Sequence, residues 1–158
     1  MNRKDKENYY LDIAETVLER GTCIRKNYGA IIVNNDEIIS TGYAGAPRGQ
    51  KNCDDLGYCN KERHDMQALH CRSVHAEANA IISASRNEMM GSTLYLVGRD
   101  LKENDYAKEA NACMMCKRMI INAGIETVII RDSKEHYRVI EVCDWVYYDD
   151  SLDHRNGH

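Results

Sequence analysis

Apolar residues recur at helical spacing close to the N-terminus, where Tyr10, Ile13, Ala14, Val17 and Leu18 precede Gly21, and the pattern predicts a first helix over roughly residues 5 to 20. The period then changes. Tyr28 to Val33 and Glu37 to Tyr43 are strand-like runs separated by the turn-forming Asn34-Asn35-Asp36, which predicts an antiparallel hairpin. Val74, Ala78, Ile81 and Ile82 return to helical spacing, for a helix from about Ser73 to Arg86. Thr93 to Val97 is a short apolar strand. Cys113 to Ala123 is a helix with Met115, Met119 and Ile120 on one face and a stop at Gly124, and Thr127 to Ile130 is a further strand. A β-α-β-α-β succession of this kind implies a partly parallel sheet with right-handed crossovers and helices on its faces. Residues 134 to 143 are expected to form another helix, with Asp144 to Tyr148 a last strand and residues 149–158 a polar, mobile tail.

Between Ala44 and Arg72 the periodicity breaks. This stretch is too long for an ordinary connection, and it carries Cys53, Cys59, His70 and Cys71, so a functional insert is expected rather than a passive loop. No repeat or low-complexity tract interrupts the rest. The length of 158 residues suits one domain, here residues 1–148 with the insert at about 44–72.

Charge and composition narrow the partners. A formal charge of −4 and a pI near 5.9 argue against a dominant grip on nucleic-acid phosphates and favour a small-molecule substrate. No apolar run approaches a membrane span and no signal core opens the chain, so a cytoplasmic protein without membrane attachment is expected. Seven cysteines are an odd number, and in that setting metal ligation explains them better than a disulfide framework.

The densest chemistry lies in His75-Ala76-Glu77 and, 38 residues after His75, Cys113-Met114-Met115-Cys116. Each sits at the start of an expected helix. Residues i and i+3 share a helix face, so Cys113 and Cys116 can turn toward one metal, and the positive end of a helix favours thiolates. Three protein ligands leave zinc a fourth position for water, and the carboxylate of Glu77 lies two residues from His75. A lone His-x-Glu is usually a solvated helix face, and a lone Cys-x-x-Cys is as readily a structural half-site or a redox pair. A redox pair would leave His75 and Glu77 without a role.

This spacing resembles the His-x-Glu and Pro-Cys-x-x-Cys signature of zinc-dependent nucleobase deaminases. From about Tyr9 to Trp145 the chain resembles the cytidine and deoxycytidylate deaminases, most closely the deoxycytidylate branch, through Gly21-Thr22-Cys23 with Arg25, Gly29-Ala30-Ile31-Ile32-Val33, Ser40-Thr41-Gly42-Tyr43, Gly45-Ala46-Pro47-Arg48-Gly49, Cys71 to Glu77, and Ile121-Asn122-Ala123-Gly124-Ile125. The resemblance implies a three-layer α/β/α sandwich with a mixed sheet and hydrolysis of dCMP to dUMP and ammonia. It also implies a homo-oligomer, commonly a hexamer, activated by dCTP and inhibited by dTTP. Catalytic zinc would be held by His75, Cys113 and Cys116, with Glu77 moving protons. A second zinc is a candidate at Cys23, Cys53, Cys59 and Cys71, with His70 as a substitute ligand. Arg25, Lys26, Arg48 and Arg72 are candidates for the substrate phosphate. The chain departs from the pattern at Ala112, where the family has proline, and at Ala44, where Gly-Tyr-Asn-Gly is usual.

Alternatives with the same residues are deamination of another cytosine nucleoside or nucleotide or of an RNA base, and a catalytically silent zinc protein that binds a nucleotide. Met89, Met90, Met114, Met115 and Met119 are expected to be core or subunit-contact residues and Cys143 core, whereas His136, His154 and His158 are assigned to the surface.

Overall fold

In the computed structural model, which describes residues 1–148, the chain runs α1 (Lys6–Leu18), β1 (Lys26–Asn34), β2 (Glu37–Tyr43), α2 (Cys53–Leu56), α3 (Ala76–Ile82), α4 (Arg86–Met89), β3 (Thr93–Asp100), β4 (Asp105–Tyr106), α5 (Met114–Ala123), β5 (Thr127–Arg131), β6 (Tyr137–Glu141) and α6 (Val142–Tyr147). The strands make one mixed sheet in the order β2-β1-β3-β5-β6, with β4 paired to β3. Only β3 and β5 run parallel; the remaining pairs are antiparallel.

Side chains alternate across this sheet and divide the interior in two. Tyr28, Ala30, Ile32, Leu94, Leu96, Val128 and Ile130 point to the face covered by α3, α5 and α6. Ile31, Val33, Tyr95, Val97 and Ile129 point to the opposite face, where α1 lays down Tyr10, Leu11, Ala14 and Leu18. The result is the expected α/β/α sandwich. Because β1 is buried on both faces, its middle reads as a continuous apolar run and its period is hidden.

Local chemistry sets the element ends. Asp5 caps α1 by accepting the Asn8 backbone N–H at 3.1 Å. The β1–β2 hairpin turns through Asn35 and Asp36, both at positive φ (51° and 62°), as a two-residue primed turn requires. Tyr10 donates its hydroxyl to the Asp36 backbone carbonyl and carboxylate, which ties the turn back to α1.

Three sequence expectations are corrected. The helix over 73 to 86 is two helices, because Ser85 caps a new one through a capping box with Glu88, and α3 begins one residue after His75. Beyond β5 the order is reversed: Tyr137–Glu141 is a strand on β5 and Val142–Tyr147 is a helix, since Val139 and Ile140 can continue the sheet while Val142 and Trp145 lie one turn apart and bury together. Cys143 is exposed on the outer side of that helix rather than in the core. One residue-level detail differs as well. The buried side of α5 is Cys116, Lys117, Ile120 and Ala123, with Met115 facing outward. Met89 is core and Met90 exposed. His136 is at the surface, where its ring meets the Ser133 hydroxyl. The tail from residue 149, with His154 and His158, lies outside the described residues.

Arg131 is an anchor that no local pattern in the sequence marks. Its side chain is fully buried at the end of β5, and its guanidinium bonds Asp12 at 2.8 Å, Glu15 at 3.1 Å and Asn8, all on α1. A buried cation demands partners of this kind, which here reach both terminal nitrogens, while Nε has none among the described residues. Partial burial works to raise the Asp12 carboxyl, but hydrogen bonds from Lys4 and Arg131 outweigh it and hold it down at about 2.

Two expectations follow from this packing. Stability contributed by Asp12 is present above the ordinary carboxylate value and is lost as pH falls from about 4 toward 2, so urea midpoints should drop across that window and Asp12→Asn should flatten the drop. A Cβ on Gly42 would sit 2.3 Å from the Ala76 carbonyl oxygen, and one on Gly29 would sit 2.2 Å from that of Ala14. Either change to alanine should cost about 1–3 kcal/mol by denaturant titration, whereas only Gly42→Ala, which displaces α3, should weaken metal retention.

Candidate metal centre

The residues ahead of α3 are stitched to the end of β2. Gly45 and Val74 exchange backbone hydrogen bonds (Val74 N–H to Gly45 O at 2.7 Å and Gly45 N–H to Val74 O at 3.2 Å). The Asn79 side-chain amide donates to the Tyr43 carbonyl at 2.8 Å, and Ser40 donates to the Ala80 carbonyl at 2.7 Å. His75 is therefore the N-cap, with extended backbone, and Glu77 falls in the opening turn with 1% of its surface exposed. Cys113 is likewise the N-cap of α5; its sulfur accepts the Cys116 N–H at 3.5 Å, and Gly124 at φ 81° ends the helix.

These two helix starts bring three ligand atoms together. His75 Nδ1 lies 3.4 Å from Cys113 Sγ and 3.5 Å from Cys116 Sγ, and the three atoms are all within 4.8 Å of one another. Tetrahedral zinc with ordinary Zn–N and Zn–S bonds requires an N···S separation of roughly 3.5 Å, so the donor set fits zinc in both kind and spacing. The set leaves one coordination position for a non-protein ligand. Glu77 interacts with the Cys116 thiol, which brings its carboxylate to the same site.

Protonation couples the ligands. The Cys113 thiol is pulled down to about 3, first because Cys116 donates to it and then, against the cost of burial, because His75 does so as well. Cys116 keeps the shared proton and is pushed upward, an effect that burial and Glu77 reinforce. His75 is raised to about 10 by its bonds to Cys113 and then Cys71, which outweigh burial. In the absence of metal, these bonds favour a protonated His75 and a proton shared between the two thiols.

The other sequence candidates are dispersed. Among the described residues, His75, Cys113 and Cys116 make the one group of three ligands within 4.8 Å. Cys53 is buried, and its thiol is raised by burial and then by Cys23, which lies ahead of β1, and by Cys71 and Cys59 of the insert. Cys71 is lowered by its bond to His75. His70 stacks its ring on His64 at 4.0 Å. The insert itself is built from α2 and single 3-10 turns at Glu62–His64 and Ala68–His70, tied to the 21–25 segment by Thr22 with Asn52 and by Arg25 with Glu62 at 2.9 Å. Arg72 donates to the Lys51 carbonyl at 2.9 Å, and Lys26 stands opposite Asp100 in the sheet. Arg48 is exposed and lines a cavity of about 270 Å³ with Arg20, Thr22, Tyr43, Gly45 and Asn52.

Sequence reading missed Tyr28, whose buried ring fills the space over Gly98, where an added Cβ would meet it at 2.5 Å. Burial and then Glu77 push its hydroxyl upward, which locates it near the cluster. The available signal was an aromatic facing a glycine across a strand pair, visible only once the register is known.

Zinc loading should expel the protons on His75 and Cys116. Calorimetric titration in two buffers of different ionisation enthalpy is expected to report release of about two protons near pH 7, with affinity rising with pH, and Cys113→Ala should abolish tight binding.

The family model for the cytidine and deoxycytidylate deaminase zinc-binding region matches residues 4–131. A deoxycytidylate deaminase from Mycobacterium phage D29 is 31% identical over 135 residues, covering 82% of this chain and 96% of the relative. One from Saccharomyces cerevisiae is 28% identical over 145 residues, covering 88% of this chain but 43% of the relative, so this chain spans less than half of that protein's length. The crystal structure of dCMP deaminase from the cyanophage S-TIM5 in complex with dCMP and dUMP superimposes with a TM-score of 0.58 at 22% identity, covering 100% of this chain and 97% of that chain, which is a likeness of fold. The matched region contains His75, Glu77, Cys113 and Cys116, and the chain belongs to the cytidine and deoxycytidylate deaminase family.

Proposed function

We propose that this chain hydrolyses dCMP to dUMP and ammonia, with His75, Cys113 and Cys116 holding zinc and Glu77 moving protons. The observation that carries the reading is a three-ligand centre with a buried carboxylate in the first turn of the ligand-bearing helix. The D29 and yeast relatives, both deoxycytidylate deaminases, support the choice of substrate. Zinc, when bound, supplies Lewis-acid activation of the attacking water. Glu77 takes a proton from that water, passes it to the pyrimidine ring nitrogen as the water oxygen adds to the amine-bearing carbon, and then helps protonate the departing amine. Water contributes the new oxygen and the amine leaves as ammonia, so one carboxylate serves each transfer. Residues 1–148 act as one deaminase unit, with the insert at 44–72 framing the substrate side.

Several finer features belong to the same reading. Of the four basic candidates for the substrate phosphate, Arg25 and Arg72 already serve Glu62 and the Lys51 carbonyl, which favours Arg48 at its open cavity. The same cavity borders Tyr43 and Gly45, on either side of Ala44, which replaces the usual asparagine, and regulation by dCTP and dTTP belongs to the same reading. Work in the cytoplasm as a homo-oligomer accompanies this role. Among the described residues no helix is long and apolar enough to cross a membrane. A second, structural zinc at Cys23, Cys53, Cys59 and Cys71, with His70 as a substitute ligand, belongs to the same reading, although these side chains are not brought within 4.8 Å of one another as a group of three.

Ammonia release should be seen with dCMP and be weaker with CMP, deoxycytidine, cytidine, dCTP and an RNA hairpin; absence of turnover on all of them would favour a silent zinc protein. Glu77→Gln should retain zinc while lowering kcat by roughly 10²- to 10⁴-fold. Metal analysis of protein produced with ample zinc is expected to give two zinc ions per chain, and one per chain would remove the second site.

A further inference from the structure

We infer that Arg138, far from the zinc ligands in sequence and on a different element, is a positioning residue for the metal centre: it fixes the segment that delivers Cys113. The inference rests on the reading of His75, Cys113 and Cys116 as the zinc site.

Residues 107–112 carry the chain from β4 into α5 and decide where the Cys113 sulfur lies. Ala107 is anchored at its start, where its N–H donates to the Gly98 carbonyl at 2.8 Å. Thereafter, until α5 begins, the segment belongs to no helix or strand. Ala107, Ala110 and Ala112 are buried, but a methyl group offers no hydrogen bond and few contacts. Glu109 adopts positive φ (53°), a conformation its side chain does not favour. Residue 112, where the family signature has a proline that presets φ, is alanine, and its N–H is taken only by the neighbouring Asn111 side chain at 2.9 Å.

Arg138 supplies the missing restraint from outside. Its terminal Nη2 donates to the Ala110 carbonyl at 2.6 Å, while its Nε lies 2.9 Å from both oxygens of the Asp132 carboxylate. The guanidinium is planar, so a fork gripped at one side by Asp132 has its other nitrogen aimed in a set direction. Asp132 follows the last residue of β5, and Arg138 pairs with Ile130 across the β5–β6 ladder. Both ends of the clamp therefore stand on the sheet, and the loop is held to it three residues before Cys113. The Arg138–Asp132 pair is about 39% and 36% exposed, so as an ion pair it contributes little; its effect is to orient the donor that Ala110 receives. Zinc sites tolerate small errors in ligand position poorly, and partners outside the ligand set are commonly what fix it.

The test compares Arg138→Met, which removes the clamp, Arg138→Lys, which can reach Ala110 or Asp132 but not both, and Arg99→Met as a control. Arg99 bonds the Asn104 carbonyl in the β3–β4 hairpin and pairs with Glu15, so its loss perturbs the hairpin without touching residues 107–112. Zinc-loaded proteins are challenged with a chromogenic chelator, and amide hydrogen exchange is followed over residues 108–112. Arg138→Met is expected to lose zinc roughly 10- to 100-fold faster than the parent, Arg138→Lys at an intermediate rate, and Arg99→Met at the parent rate. Exchange at 108–112 should rise in the first two variants alone, and the Arg138→Met enzyme should lose kcat with KM nearly unchanged. Parent-like zinc loss in Arg138→Met, or equal acceleration in Arg99→Met, would overturn the assignment. If Arg138→Met does not fold, Asp132→Asn, which frees the guanidinium from its orienting partner, is read against the same outcomes. A parent protein that binds no zinc at all would instead count against the zinc reading itself.

Discussion

The site depends on how closely the first turn of α3 lies on the sheet. Gly42 lets the Ala76 carbonyl and the Ala80 amide come to distances from which any side chain at residue 42 would exclude them. Ser40 and Asn79 complete the contact, Ser40 by donating to a buried helix carbonyl and Asn79 by donating to the Tyr43 carbonyl on the strand. With α3 fixed at its opening turn, His75 and Glu77 have little freedom left. The second ligand pair arrives by another route, through the helix that follows β3 and packs on the same face.

That arrangement puts nearly all the chemistry on one face of the sheet. The other face, under α1, is stabilised by an apolar cluster and by a buried guanidinium whose two terminal nitrogens bond Asp12, Glu15 and Asn8. Arg131 ends β5 and Cys113 begins the helix before it, so the β5 end is shared between a structural network above the sheet and a ligand loop below. The two halves of the molecule are linked there more directly than the sequence distance suggests.

Much of this was legible in the chain because the relevant signals are local. The periodicity of α1, the Asn35-Asp36 turn and Gly124 after α5 each act within a few residues, and the metal ligands announce themselves by spacing. The misreadings are cases in which the deciding partner lies elsewhere. Tyr137 to Glu141 is a strand because β5 offers it an edge, and no feature of those five residues by themselves distinguishes them from a helix end. Ser85-x-x-Glu88 is a readable cap, but the expected helix marked by Val74, Ala78, Ile81 and Ile82 extends past it to Arg86. Tyr28, Arg131 and Arg138 were invisible as functional or structural anchors, since a buried arginine or an aromatic over a glycine acquires meaning only from register.

The contrast between the two approaches to the metal has a dynamic consequence. On the His75 side, a backbone bridge, an amide and a buried hydroxyl tie the helix to β2, one edge strand of the sheet. On the Cys113 side, residues 107–112 are tied by a half-exposed arginine to β6, the edge strand at the other end. Native proteins breathe first where contacts are fewest and solvent is nearest, so the cheapest excursion available to this centre swings the thiolates away while imidazole and carboxylate stay put. Exchange of the ion with its surroundings would then proceed through a half-open state in which the proton-handling group is already in place, and the door to the site is hinged on the cysteine side.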